Sequence, residues 1–90
     1  MREKQIPINM RMPEMKQYAI IRVRQMLRPS ELYDGWGWNQ RPPRIGDTGT
    51  IVEILRAPGQ PDRYVVENSD VNGVTIWLGV FSPEELEVEG

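Results

Sequence analysis

The chain has 90 residues, a formal net charge of −2, 39% hydrophobic and 27% charged residues, and no cysteine or histidine. That inventory excludes a disulfide framework, a thiolate nucleophile, a Cys-ligated zinc or iron–sulfur site and any histidine acting as general base or metal ligand. A chain this short buries about 60–65% of its unfolded surface, enough for one modest core and no second domain.

The charge is unevenly spread. Residues 1–28 carry seven Lys/Arg against two Glu, residues 29–46 balance two against two, and residues 47–90 set Arg56 and Arg63 against nine acids. Such polarity steers a charged partner, or lets the basic part lie on the chain's own acidic part. No apolar run approaches 18 residues, and Pro7 and Asn9 interrupt Ile6, Ile8 and Met10 where a signal peptide would need a hydrophobic stretch. A cytoplasmic protein with no membrane segment is expected.

Residues 1–16, with Pro7, Pro13 and four methionines, show no period of 2 or 3.6 and read as a flexible N-terminal arm. A docked arm would be exchanged in a dimer, so the expected state is a monomer or an arm-exchanged dimer. The domain proper is expected over 17–90. From Gln17 to about Leu27 a strand is expected, with Ile21 and Val23 on one face and Arg22 and Arg24 on the other; a helix over Glu14–Leu27 is the competing reading. Three β-branched residues in four positions favour the strand.

Residues 28–46 form a long irregular segment holding three prolines, three glycines, Tyr33, Trp36 and Trp38. A loop this long in so small a domain is functional or mobile. Beyond the Gly46-Asp47 turn, strands are expected at Thr48–Leu55, Arg63–Asn68 and Val74–Phe81, with Asn72-Gly73 turning the last pair into a hairpin. Ser82-Pro83 places a cap and a first-turn proline on a single helical turn, and Glu87–Glu89 reads as a closing strand. Five short strands with one helical turn before the last argue a small all-β barrel, whose closure would remove exposed sheet edges.

In this order the residues resemble the SH3-like barrels. Gly46-Asp47-Thr48-Gly49-Thr50-Ile51-Val52-Glu53-Ile54 is similar to the turn-and-strand segment of KOW-type domains and of a bacterial SH3-like family of uncharacterised function. In that family a Tyr-x-Val-Glu strand, an Asp/Asn-Gly turn and a Pro-x-x-Leu turn follow, matched here by Tyr64-Val65-Val66-Glu67, Asn72-Gly73 and Pro83-Glu84-Glu85-Leu86. PsaE-type barrels of photosystem I are similar in outline. The likeness spans residues 17–90 and implies a five-stranded SH3-like barrel; it implies no particular activity.

The candidate contact residues are aromatic and basic. Tyr33, Trp36 and Trp38 can form a platform for a partner, since flat aromatic groups combine large buried area with a polar handle; alternatively the tryptophans fold back over the core. On Val74–Phe81 the β-branched face of Val74, Ile76, Leu78 and Val80 is expected inside, which leaves Trp77 and Phe81 outside as a groove or as a seat for the long loop or the arm. Arg41-Pro42-Pro43-Arg44 is either a polyproline-II segment or a stiff loop end leading into the Gly46-Asp47 turn. Asp47 and Asp70 are expected to bond their own turn backbones. Glu84, Glu85, Glu87 and Glu89 are expected to solvate a surface.

No nucleophile–base pair, phosphate-cradling loop or metal spacing appears, so neither enzymatic activity nor a cofactor is expected. The sequence therefore points to a protein-interaction or accessory-subunit module contacting an unidentified protein through Tyr33, Trp36, Trp38, Arg41, Arg44, Trp77 and Phe81. The alternative is a nucleic-acid or ribonucleoprotein accessory binding through Arg22, Arg24 and Arg28, against which the acidic balance argues.

Overall fold

The computed structural model describes residues 15–34 and 37–89. Five strands follow one another, β1 (Ile20–Val23), β2 (Thr48–Leu55), β3 (Arg63–Ser69), β4 (Thr75–Phe81) and β5 (Leu86–Val88), with 3-10 turns at Ser30–Tyr33 and Pro83–Glu85. They form one antiparallel sheet in the order β4-β3-β2-β1-β5. The chain is all-β, as its sequence leads one to expect, and compatible with an SH3-like small β fold. Most of the expected N-terminal arm, residues 1–14, lies outside the described residues, as do Gly35, Trp36 and Gly90. Met15, within the span expected as the arm, packs partly buried against the core.

β1 alternates as expected: Ile21 and Val23 are buried, while Ile20 and Arg22 face outward. It is much shorter than the expected 17–27. A turn at Lys16–Ala19, with Tyr18 at φ 71°, precedes it. At its far end Arg24 N–H donates to the Glu85 carbonyl at 2.8 Å, which carries the chain off the β2 ladder toward the second 3-10 turn.

A bulge between Ile51 and Glu53 puts two β2 residues against one step of β3, Ile51 pairing with Val66 and Glu53 with Val65. The extra residue changes the phase of the pleat, so Ile51 and Ile54, three apart, both reach the core. At Gly49, β2 lies too close to β3 for a side chain. A Cβ there would sit 2.7 Å from the Glu67 carbonyl oxygen and 2.7 Å from a Val66 methyl, so only glycine lets the strands approach this far.

The β3–β4 connection is the predicted hairpin, turning over Asp70–Gly73. Gly73 has φ 80° and its N–H donates to the Asp70 carbonyl at 2.9 Å, whereas Asn72 keeps negative φ, so this is not the two-residue type I′ turn. The Asp70 carboxylate accepts from the Asn72 and Val74 N–H groups at 2.9 and 3.0 Å, the local role expected for it.

The β4 face assignment is reversed. Trp77 and Phe81 are fully buried, whereas Val74 is 52% exposed and Ile76, Leu78 and Val80 are half-buried. The physical reason is size. A buried aromatic side chain removes about 150–250 Å² from water, roughly 4–6 kcal/mol of gross transfer free energy, against about 1.5–3 kcal/mol for a valine or leucine. In a core this small the aromatic face prevails. Tyr33, from the long loop, joins it: its ring centroid lies 4.9 Å from that of Phe81, which is 5.6 Å from Trp77. Gly79 leaves the space, since a Cβ there would come within 3.3 Å of the Tyr33 carbonyl oxygen. Tyr33 of the long loop thus packs on the aromatic face, which is the core face and not the outward groove or seat that the sequence led one to expect.

Candidate functional site

The long loop is fastened to the sheet through polar groups at three places. The first is the exposed edge of β4. Asn39 uses both ends of its amide there: Oδ1 accepts from Leu78 N–H at 2.9 Å and Nδ2 donates to Leu78 O at 3.2 Å. Gln40 N–H donates to Ile76 O at 2.7 Å, its side chain donates to Thr75 O, and Arg28 Nη2 donates to Val80 O at 2.6 Å. An unpaired strand edge is a template for aggregation, and here the loop occupies it. No ladder pairs β4 with β5 among the described residues, so the loop, rather than a closing ladder, covers this edge.

The second is Asp47, just before β2. Its carboxylate accepts from Arg41 through both guanidinium nitrogens at 2.7 and 3.2 Å, from the Trp77 indole N–H at 2.8 Å and from Arg44 N–H at 3.0 Å. Burial pushes this carboxyl up, but the bonds from Arg41, Trp77 and Arg44 outweigh it and hold the group below its ordinary value. The Arg41–Arg44 segment is therefore a stiff loop end: Arg41 is held by Asp47, Pro43 is buried, and Asp47 N–H closes the turn onto Arg44 O.

The third is Glu85. Expected on a solvated surface, it is 1% exposed and its carboxylate accepts from the Tyr33 hydroxyl, from Leu27 N–H at 3.0 Å, and from Ser82 N–H and Oγ at 2.9 and 3.0 Å. Burial again pushes the carboxyl up, and the Tyr33, Leu27 and Ser82 donors more than offset that, leaving it below its ordinary value. Tyr33 moves the other way: burial, reinforced by the Glu85 carboxylate, raises its phenol. One signal for Glu85 was present in the sequence. Ser82 and Glu85 stand three apart and form a capping box, the Ser-x-x-Glu spacing that turns the acid back onto the chain.

These fastenings sort the sequence-derived contact residues. Tyr33, Trp77 and Phe81 are core rings and present no face to a partner; their placement on the surface is corrected by their burial. Arg41 is spent on Asp47. Trp36 lies outside the described residues. Trp38, at 85% exposure, and Arg44, with no described side-chain partner, remain on the surface, accompanied on the same segment by exposed Leu32 and Ile45. The three basic residues of the first strand are not brought together as one free row. Arg22 pairs with Glu89 at 2.7 Å, and Arg28 stacks 4.3 Å from the Tyr33 ring centroid while holding Val80 O.

No described helix is long and apolar enough to cross a membrane, and no group of three or more described acids is arranged to hold a metal. Comparison with protein-family models, with curated proteins and with solved structures finds no match to this chain. The class that fold and site define is therefore a small all-β domain of five antiparallel strands whose long loop is bonded to the sheet edge.

Proposed function

We propose that the chain is a non-catalytic protein-interaction or accessory-subunit module with an SH3-like frame, contacting its partner through the outer side of residues 33–44. The observation that carries this reading is Trp38, 85% exposed beside Asn39, which both ends of its amide fix to Leu78. A large aromatic displayed from a fastened backbone loses little further freedom on binding, the property that makes such residues interface anchors. Arg44, on the same segment, supplies an exposed cation. The order of turn, strands and late Pro-x-x-Leu turn supports the likeness to the bacterial SH3-like family and, in outline, to KOW-type and PsaE-type barrels.

The nucleic-acid reading has less behind it, because Arg22 and Arg28 are already engaged and only Arg24 of the three has no described side-chain partner. Trp38→Ala should leave folding stability within about 0.5 kcal/mol of the parent, as expected for an exposed side chain. Affinity capture from lysate of the source cells should then lose a stoichiometric protein partner that the parent retains. Equal recovery by both proteins would refute the role of Trp38.

A further inference from the structure

Residues 47–90 hold only two basic side chains, Arg56 and Arg63, against nine acids, yet the fold brings both to one place. They line a surface pocket of about 360 Å³ walled by Leu55, Ala57 and Pro61. Arg63 also lines a second pocket, of about 230 Å³, together with Arg28, Leu27 and Phe81. Arg63 lines both pockets, so three arginines from separate parts of the chain border a notch made of two adjoining pockets beside the Phe81 end of β4.

The charges in this notch are poorly neutralised. Arg63 has no ion-pair or hydrogen-bond partner for its side chain among the described residues. Arg56 touches Asp62 through Nε alone, at 3.3 Å and largely in solvent, where such a pair contributes little. Arg28 is positioned by the Val80 carbonyl and the Tyr33 ring rather than by an acid. Glu85 also lines the second pocket, but its carboxylate is turned inward onto Tyr33, Leu27 and Ser82. The result is a cationic notch with apolar walls in a chain of net negative charge.

We infer that this notch binds a short peptide segment of a protein partner that presents a carboxylate flanked by apolar side chains. Arg63 and Arg56 take the carboxylate, where guanidinium and carboxylate geometries match, and Leu27, Leu55, Ala57 and Pro61 accept its apolar neighbours. A polyanion fits less well. The nine acids of residues 47–90 repel an extended chain of phosphates. Trp38 lines neither pocket.

The test is selection of the intact protein against a displayed library of random heptapeptides, followed by titration of the best peptide and of a labelled 20-nucleotide single-stranded RNA. Selected peptides should share an Asp or Glu flanked by apolar residues. Their affinity should fall at least tenfold in Arg63→Glu, fall by a smaller factor in Arg63→Gln, and be unchanged in Trp38→Ala. Circular dichroism and denaturation midpoints establish that each variant is folded; Arg63 is exposed, so both Arg63 variants should be. Absence of acidic enrichment, or equal binding by folded Arg63→Glu, overturns the inference. So does Arg63-dependent binding of the RNA tighter than of any peptide, which would assign the notch to nucleic acid. Loss of the peptide in Trp38→Ala would merge the two sites and overturn it as well.

Discussion

Replacing Trp77 with alanine should cost about 3–5 kcal/mol, the range for truncating a large buried aromatic. In a domain whose whole stability is of order 5–10 kcal/mol, that leaves a marginal or unfolded protein. The ring is fully buried against Phe81, and its indole N–H is one of the donors that keep Asp47 ionised between the loop and β4. Trp77→Phe separates the two contributions. It keeps most of the aromatic filling but removes the donor, while Asp47 retains Arg41 and Arg44 N–H. A smaller loss, about 1–2 kcal/mol, is expected. Urea denaturation at neutral pH measures both. A Trp77→Ala protein within 0.5 kcal/mol of the parent would place the ring outside the core.

The second large effect belongs to Glu85. Glu85→Gln keeps the shape but replaces an oxygen acceptor with an amide donor facing the Tyr33 hydroxyl, Leu27 N–H or Ser82, and removes the charge that strengthens those bonds. A loss of about 2–3 kcal/mol at neutral pH follows, the worth of hydrogen bonds to a charged acceptor. The pH dependence gives an independent signature. Because the folded carboxyl titrates below its unfolded value of about 4.3, the folded state binds fewer protons. Its contribution is complete above that unfolded value and disappears as pH falls through the folded one. Asp47 acts in the same direction. Denaturation midpoints from pH 7 down to about 2.5 should therefore fall less steeply for Glu85→Gln than for the parent. Parallel curves would mean that Glu85 is not held as an anion. Tyr33 contributes on the alkaline side: its raised phenol adds stability below pH about 10 that is lost as pH rises through the folded value.

What the sequence disclosed about this molecule was local. β2 occupies Thr48–Leu55 as expected, β3 and β4 deviate by one residue, and the Ser82-Pro83 turn forms where its cap and proline place it. Each of these has its signals within a few residues. The inward face of β4 did not, because alternation alone fits either face. The choice depended on Tyr33, more than forty residues upstream in the chain, filling the space that Gly79 leaves beside Phe81.

The candidate site shows the same division. Asp70 bonding its own turn was readable from the turn. Asp47 was read as a turn acid as well, and it is one, but its bonds to Trp77 and Arg41 depend on where β4 passes. Glu85 was read with its acidic neighbours as surface, although its spacing from Ser82 marked it as different; its acceptance from Tyr33 spans 52 positions. Of the aromatic set, only Trp38 among the described residues combines a loop position with exposure, and nothing in its immediate sequence separated it from the rings that went inside.

Display of Trp38 from a fixed frame requires the loop to be part of the folded sheet. Amide hydrogen exchange read by NMR at the Leu78 N–H tests this most directly. That group lies on the outer edge of β4, where no described strand pairs with it, and its acceptor is the Asn39 side chain. Protection comparable to that of interior amides of β3 is expected, together with a slowly exchanging Trp77 indole N–H, and loss of the Leu78 protection alone in Asn39→Ala. Exchange of Leu78 at the rate of an open strand edge in the parent protein would contradict the fixed frame.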